Sequence, residues 1–139
     1  MQREIKFRGK RLDGQGWAFG SYIEAELNNG IAHEIVPYKR GEPVVEVDPE
    51  TVGEYTGIKD KNGVEIYEGD IIECVDSHGE PVRHFVEFCG RRGYYAQYFA
   101  GHSPLPAYEA GPIYQDYIDE FGKYVIGNIH DNPELLKTE

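Results

Sequence analysis

The sequence predicts a mostly β chain (α+β in class) with one short helix. Three observations carry that. Seventeen glycines and eight prolines break up 139 residues, so the chain reverses often. Eleven tyrosines and many β-branched residues fill the stretches between reversals, and these types favour strands. Only one segment, Ile113 to Phe121, repeats its apolar residues at helical spacing.

From Glu4 to Arg8 polar and apolar residues alternate, which predicts a half-buried strand with Ile5 and Phe7 facing inward. Asp13-Gly14-Gln15-Gly16 reverses the chain into a strand from Trp17 to Ala25. Its expected core anchors are Trp17, the only tryptophan, with Phe19 and Ile23. Asn28-Asn29-Gly30 is a hairpin signal, and Ile31 to Val36 returns. Pro37 to Pro43 reads as an exposed loop, and Val44 to Val47 as a short strand.

The stretch from Val47 to Val75 holds the densest local code. Asp48 followed by Pro49 predicts one helical turn that stops at Gly53. Glu54 to Ile58 is extended. Lys59 to Gly63 is a hairpin loop, because Asn62-Gly63 tolerates positive φ. Val64 to Tyr67 returns, Glu68-Gly69-Asp70 turns again, and Ile71 to Val75 is the next strand. So many reversals in so short a span predict a small twisted sheet or barrel. Beyond it, Asp76 to Pro81 is a loop, Val82 to Phe88 a strand, Gly90 to Gly93 a basic tip, and Tyr94 to Phe99 another strand. Ala100 to Pro112 reads as a long loop. The helix over Ile113–Phe121 ends at Gly122, and Lys123 to His130 is the last strand. Asp131 to Leu136 repeats the Asp-then-Pro cap pattern.

The run Y-T-G-I-K-D-K-N-G-V-E-I-Y-E-G-D-I-I-E-C (Tyr55 to Cys74) resembles the YopX family of phage and prophage proteins. So do the opening R-E-I-K-F-R-G-K (Arg3 to Lys10) and the closing V-I-G-N-I-H-D-N-P-E-L-L (Val125 to Leu136). Three ordered motifs frame almost the whole chain, with 14–46 and 79–124 less family-like. The resemblance implies a partly open, SH3-like β-barrel that tends to self-associate, and it implies no chemistry. On this reading 1–47 is an N-terminal β-hairpin subdomain, forming a second layer or an oligomer arm. The barrel is 48–139, with a Tyr-rich arm inserted at about 94–121.

The formal charge is −11. Nucleic-acid affinity normally comes from neutralising phosphates, so the balance argues against nonspecific binding to DNA or RNA. Two cysteines, Cys74 and Cys89, give no disulfide framework. The N-terminal residues lack the apolar core of a signal peptide, and no run is long enough to span a bilayer as a helix. The expectation is a cytoplasmic protein of a bacterial host, with no membrane partner.

Three chemistries can be weighed. Cys74, Asp76 and His78 alternate along the chain, with His84 and Cys89 one hairpin later, and thiolate with imidazole suits zinc. The paired spacings typical of zinc sites are missing, and the plainer reading is a buried Cys74 beside a polar loop. Glu65, Glu68, Asp70 and Glu73 cluster at one turn, where carboxylates could do acid–base work or hold magnesium. The plainer reading is that Gly69 turns the corner and Asp70 binds a nearby backbone N–H. No phosphate-loop, nucleophile-elbow or zinc-protease motif is present. Arg91-Arg92 beside Tyr94, Tyr95 and Tyr98 could neutralise phosphates and stack bases.

The reading preferred from sequence is non-catalytic, with no cofactor and no metal. Six of the eleven tyrosines fall between Tyr94 and Tyr117, and aromatics are enriched at interface centres. The candidate interaction surface is therefore Arg91, Arg92, Tyr94, Tyr95, Tyr98, Tyr108, Tyr114 and Tyr117. The expected partners are further copies of the chain and a host or phage protein. A nucleic-acid-associated regulator is the alternative, and a metal-dependent enzyme the third.

Overall fold

The structure is a computed structural model that describes residues 4–99 and 109–136. It is mostly β with one short helix, as the sequence predicts. The chain divides into two compact units, Met1–Tyr55 and Thr56–Glu139, with the division falling inside one long strand.

In the first unit β1 (Phe7–Arg11), β2 (Trp17–Leu27), β3 (Gly30–Pro37) and the leading part of β4 (Val45–Lys59) follow one another as antiparallel neighbours. β1 also pairs with β4, which closes the order into a ring. Ala18, Ile35 and Val47 are buried at its centre, with Phe7, Tyr22, Val45 and Val52 packed around them.

Several details of this unit depart from the sequence reading. Ile5 lies ahead of β1 and is exposed, while Arg8 is buried with its guanidinium carbon 4.7 Å from the Trp17 ring centroid. Phe19 and Ile23 are exposed, because Ala18, Gly20 and Tyr22 take the inward parity of β2. Gly20 explains the choice. A Cβ there would lie 2.0 Å from the Val36 carbonyl oxygen, so only glycine lets β2 and β3 approach on that side. The helical turn expected at Asp48–Val52 is absent, and these residues belong to β4. Asp48 does accept from the Glu50 N–H (3.0 Å), and Thr51 Oγ1 donates to the Asp48 carbonyl (2.6 Å) while accepting from the Lys10 N–H (2.8 Å). The register jumps there: Lys10 faces Asp48, but Arg8 faces Gly53. The same local bonds that cap a helix here build a β-bulge, because β1 is waiting to pair on either side.

In the second unit β5 (Glu65–Tyr67) pairs with the end of β4. A second antiparallel sheet has the order β10-β6-β7-β8-β9, made by β6 (Asp70–Val75), β7 (Pro81–Cys89), β8 (Tyr94–Phe99), β9 (Glu109–Pro112) and β10 (Tyr124–Asn128). The strand at Glu109–Pro112 replaces the end of the expected loop, and 100–108 lie outside the described residues. Helix α1 (Gln115–Phe121) precedes β10 and stops at Gly122, whose φ of 62° is the left-handed stop read from sequence. A 3₁₀ turn, Pro133–Leu136, closes the described chain where the second Asp-then-Pro pattern lies. Ile66, Ile72, Val86, Tyr95, Ile113 and Ile118 form the buried cluster.

Candidate functional site

Carboxylates lock the turns of the second unit. At the Asn62-Gly63 reversal, Asp60 Oδ1 accepts from the N–H groups of Asn62 (2.8 Å) and Val64 (2.9 Å), and Oδ2 from that of Val125 (2.9 Å). One buried side chain thus ties the β4–β5 loop to β10. At Glu68-Gly69-Asp70, Asp70 Oδ2 accepts from the Tyr67 N–H (2.7 Å), the turn role expected for it. The other acids of that cluster are engaged too. Glu68 accepts from the Phe88 N–H, and Glu65 from the Tyr67 hydroxyl. Glu73 pairs with Arg83 (2.8 Å) and accepts from the Tyr124 hydroxyl (2.8 Å). The Arg83 hydrogen bond holds the Glu73 carboxyl below its ordinary range, and the bond to Glu73 pushes the Tyr124 phenol up.

The residues considered for zinc are dispersed in role. Cys74 is buried on β6, and Cys89 ends β7. Asp76 Oδ1 accepts from the N–H groups of His78 and Glu80. Among the described residues no group of three or more His, Cys, Asp and Glu is placed to hold a metal ion.

His84 instead borders a buried polar cluster the sequence did not reveal. Lys123 is 1% exposed, with Nζ 2.6 Å from Gln97 Oε1, 3.3 Å from His84 Nδ1 and 4.8 Å from the Tyr117 ring centroid. Burial lowers its pKa to about 8. Period-two reading of β10 could not flag it, because a lysine beside a helix stop looks like a solvated one.

The candidate interaction surface divides. Arg91 and Arg92 are exposed at the β7–β8 tip. Tyr95 is buried, its ring edge-on to Phe88 at 5.1 Å, so it belongs to the core and is not a surface residue. Tyr98 is half-buried and stacked on Phe85 (5.3 Å), and Tyr94 is half-buried at the start of β8. Tyr117 is half-buried against the core cluster. Tyr114 is exposed and tilted over Tyr117 (5.7 Å), which in turn meets exposed Phe121 (4.6 Å). Tyr108 lies outside the described residues.

Register places Phe88 and the two arginines at the β7–β8 end of the sheet. Ala96 faces Pro112, and the Ile113 N–H donates to the Tyr95 carbonyl. One residue further, Tyr114 reaches the level of Tyr94, where the hairpin bearing Arg91 and Arg92 turns. Phe88, paired with Tyr95, is exposed at the same end. Among the described residues the exposed aromatics of this unit are therefore Tyr114, Phe121 and Phe88, with the two arginines also exposed, and sequence reasoning overlooked Phe88 as a surface residue. Helix α1 is held by Gln115, which accepts from the Lys59 N–H (3.0 Å) and donates to its carbonyl (2.7 Å).

Comparison with known proteins gives a family and a fold. A family model described as "YopX protein" matches residues 6–137. No curated protein matches. The crystal structure of protein EF1440 from Enterococcus faecalis is similar at a TM-score of 0.56 and 24% identity, covering 98% of this chain and 100% of that one.

Proposed function

The chain belongs to the YopX family, and from that premise we propose that it is a non-catalytic accessory protein of phage or prophage origin. It acts in the cytoplasm of a bacterial host by binding further copies of itself and a protein partner. One observation carries the self-association. β2 and β3 stay paired from Gly20–Pro37 out to Leu27–Gly30, but β1 accompanies β2 only from Trp17 to Gly20. β4 accompanies β3 only at Glu34 and Ile35. The outer part, 24–33, is a two-stranded ribbon carrying Leu27 and Ile31, which are 56% and 57% exposed, with Ile23, 41% exposed, at its base on the open side of β2. A lone ribbon is marginal in water, and an apolar ribbon edge invites another strand. A second copy offers the same edge and the same side chains, the self-complementary condition of a two-fold contact.

The absence of chemistry is supported by the engagement of the E-G-D carboxylates, each bound to backbone, phenol or arginine. The partner half of the reading rests on exposed Tyr114, Phe121 and Phe88 and on Arg91 and Arg92, since Tyr, Phe and Arg are the types enriched in interface cores.

Light scattering after size exclusion tests the assembly. The expected result is an oligomer for the native chain and a monomer for Ile23→Lys/Leu27→Lys; a strict monomer at tens of micromolar, roughly where standard-size interfaces are saturated, contradicts it. Affinity capture from induced host cells tests the second half. A protein lost on Tyr114→Ala/Arg91→Glu supports it, and identical profiles for both baits refute it.

A further inference from the structure

The two faces of the first sheet differ in kind. In the β1–β2 register Gly9 faces Ala18 and Phe7 faces Gly20, and this is the core side. Lys10 faces Trp17 and Arg8 faces Phe19 on the other side. The start of β2 (Trp17, Ala18 and Phe19), Lys6, Arg11 and the loop after β3 line an open cleft of about 700 Å³, within the size range of small-ligand sites. Its walls carry three aromatics, Trp17, Phe19 and Tyr38, and three cations, Lys6, Arg11 and Lys39. Glu42 is the one carboxylate among the described residues that line it. The whole chain has 25 acidic residues against 14 Lys and Arg, whereas here the three cations are matched by three carboxylates, Glu42 with Glu4 and Asp13 beside the cleft, so the cleft is less acidic than the molecule.

The parts are held in place. The Tyr38 hydroxyl donates to the Ile5 carbonyl, fixing one wall. The Arg8 guanidinium lies over the Trp17 ring, 4.7 Å from its centroid, a cation–π contact that helps hold the indole. Lys6 meets Glu4 (2.7 Å), Arg11 meets Asp13 (2.7 Å) and Lys39 meets Glu42 (3.9 Å). The Lys39–Glu42 pair faces solvent and contributes little, so an incoming phosphate can exchange with it, while Lys6 and Arg11 keep their carboxylates and are fixed in place by them.

We infer that this cleft binds a small nucleoside phosphate. The base lies against the aromatic walls, and the phosphate is met by Lys6, Arg11 and Lys39. Stacking on aromatics beside cations is the usual chemistry for a nucleotide, and the net charge of −11 on the chain disfavours a longer polyanion. The inference does not depend on assembly or on a protein partner.

Trp17 is the only tryptophan, so its fluorescence reports on this cleft alone. The full chain is titrated with AMP, UMP, adenosine, inorganic phosphate, the oligonucleotide dT10 and a P-x-x-P peptide. The expected result is a saturable change with AMP or UMP at a dissociation constant on the order of 0.1 mM. Adenosine and phosphate alone bind about tenfold more weakly, and added salt weakens the nucleotide. Lys39→Glu and Phe19→Ala, both at exposed positions, each reduce affinity roughly fivefold, as expected for one lost charge contact or one lost stack. No change in emission at millimolar nucleotide overturns the inference. So does adenosine binding as well as AMP, saturation by the peptide in place of the nucleotide, or dT10 binding more than tenfold tighter than AMP.

Discussion

The two units of this chain spend their apolar residues differently. In the second, Ile66, Ile72, Val86, Tyr95, Ile113 and Ile118 turn inward around one cluster, and Asp60, Asp70 and Asp76 fix the turns that deliver them. In the first, the buried cluster is Ala18, Ile35 and Val47, with Ala32 and Tyr55 also buried, while Phe19, Ile23, Leu27 and Ile31 face outward. Similar strand-forming sequences thus serve two ends. The second unit gathers the larger core and leaves Val64, Val75, Phe88, Tyr114 and Phe121 exposed, while the first buries less and displays its aliphatic side chains on a ribbon. A unit that displays apolar side chains on a two-stranded ribbon is suited to binding.

That contrast can be broken by substitution. Ile118→Ala, in the core of the second unit, should cost about 3 kcal/mol, from lost transfer energy plus a cavity. Leu27→Ala on the ribbon should change the monomer's stability by less than about 0.5 kcal/mol. Urea unfolding of both variants checks the pair, and equal losses would erase the distinction.

Next in size is Asp60→Ala, which strands three backbone N–H groups at once and should destabilise by about 2–3 kcal/mol. Its marker in NMR is a shifted Val125 amide far away in sequence. If Val125 is unmoved, the carboxylate does not bridge the loop to β10.

The pH dependence of stability sharpens the account of Lys123. Its folded pKa of about 8 lies below the ordinary 10.5. Below about pH 8 the amine is protonated in the folded and unfolded chains alike, and its burial is a constant cost. Between about 8 and 10.5 only the unfolded chain holds the proton, so folding gains as pH rises, by an amount on the order of 2 kcal/mol. Tyr22, raised by burial and by Glu24, and Tyr124, raised by Glu73, act oppositely above pH 10. They keep their protons folded and lose them unfolded, so stability falls again there. Chemical denaturation from pH 7 to 11 should show a maximum between these ranges, and Lys123→Met should remove the rising limb.

The smallest effect is at the bulge. Thr51→Val loses a bond from the Lys10 N–H and one to the Asp48 carbonyl, and should cost about 1 kcal/mol. An unchanged denaturation midpoint would mean the bulge is held by β1 alone.

Much of the fold was legible because its code is local. Asn62-Gly63, Asn29-Gly30, Glu68-Gly69-Asp70 and the Gly122 stop each carry their own geometry in two or three residues. What was illegible depends on distant partners. Asp48-Pro49 writes the same bonds for a helix cap and for a bulge, and β1 decides between them. The inward parity of β2 was misread because Phe19 and Ile23 outrank Ala18 in hydrophobicity, while Gly20 and its contact with the Val36 carbonyl set the face. Burial of Lys123 and Arg8 leaves no mark on the pattern, because a charged side chain is written the same way inside and out. Of the candidate surface, the exposed arginines and Tyr114 could be read from composition. Whether Tyr95 or Phe88 is covered could not, since both stand on the same face of adjacent strands.

Amide hydrogen exchange at rising protein concentration tests the display of the ribbon most directly. The account predicts that amides in the Ile23–Ala32 ribbon become protected as concentration increases, while those of α1 keep constant rates. Ribbon amides that exchange at one rate from micromolar to millimolar protein would contradict it.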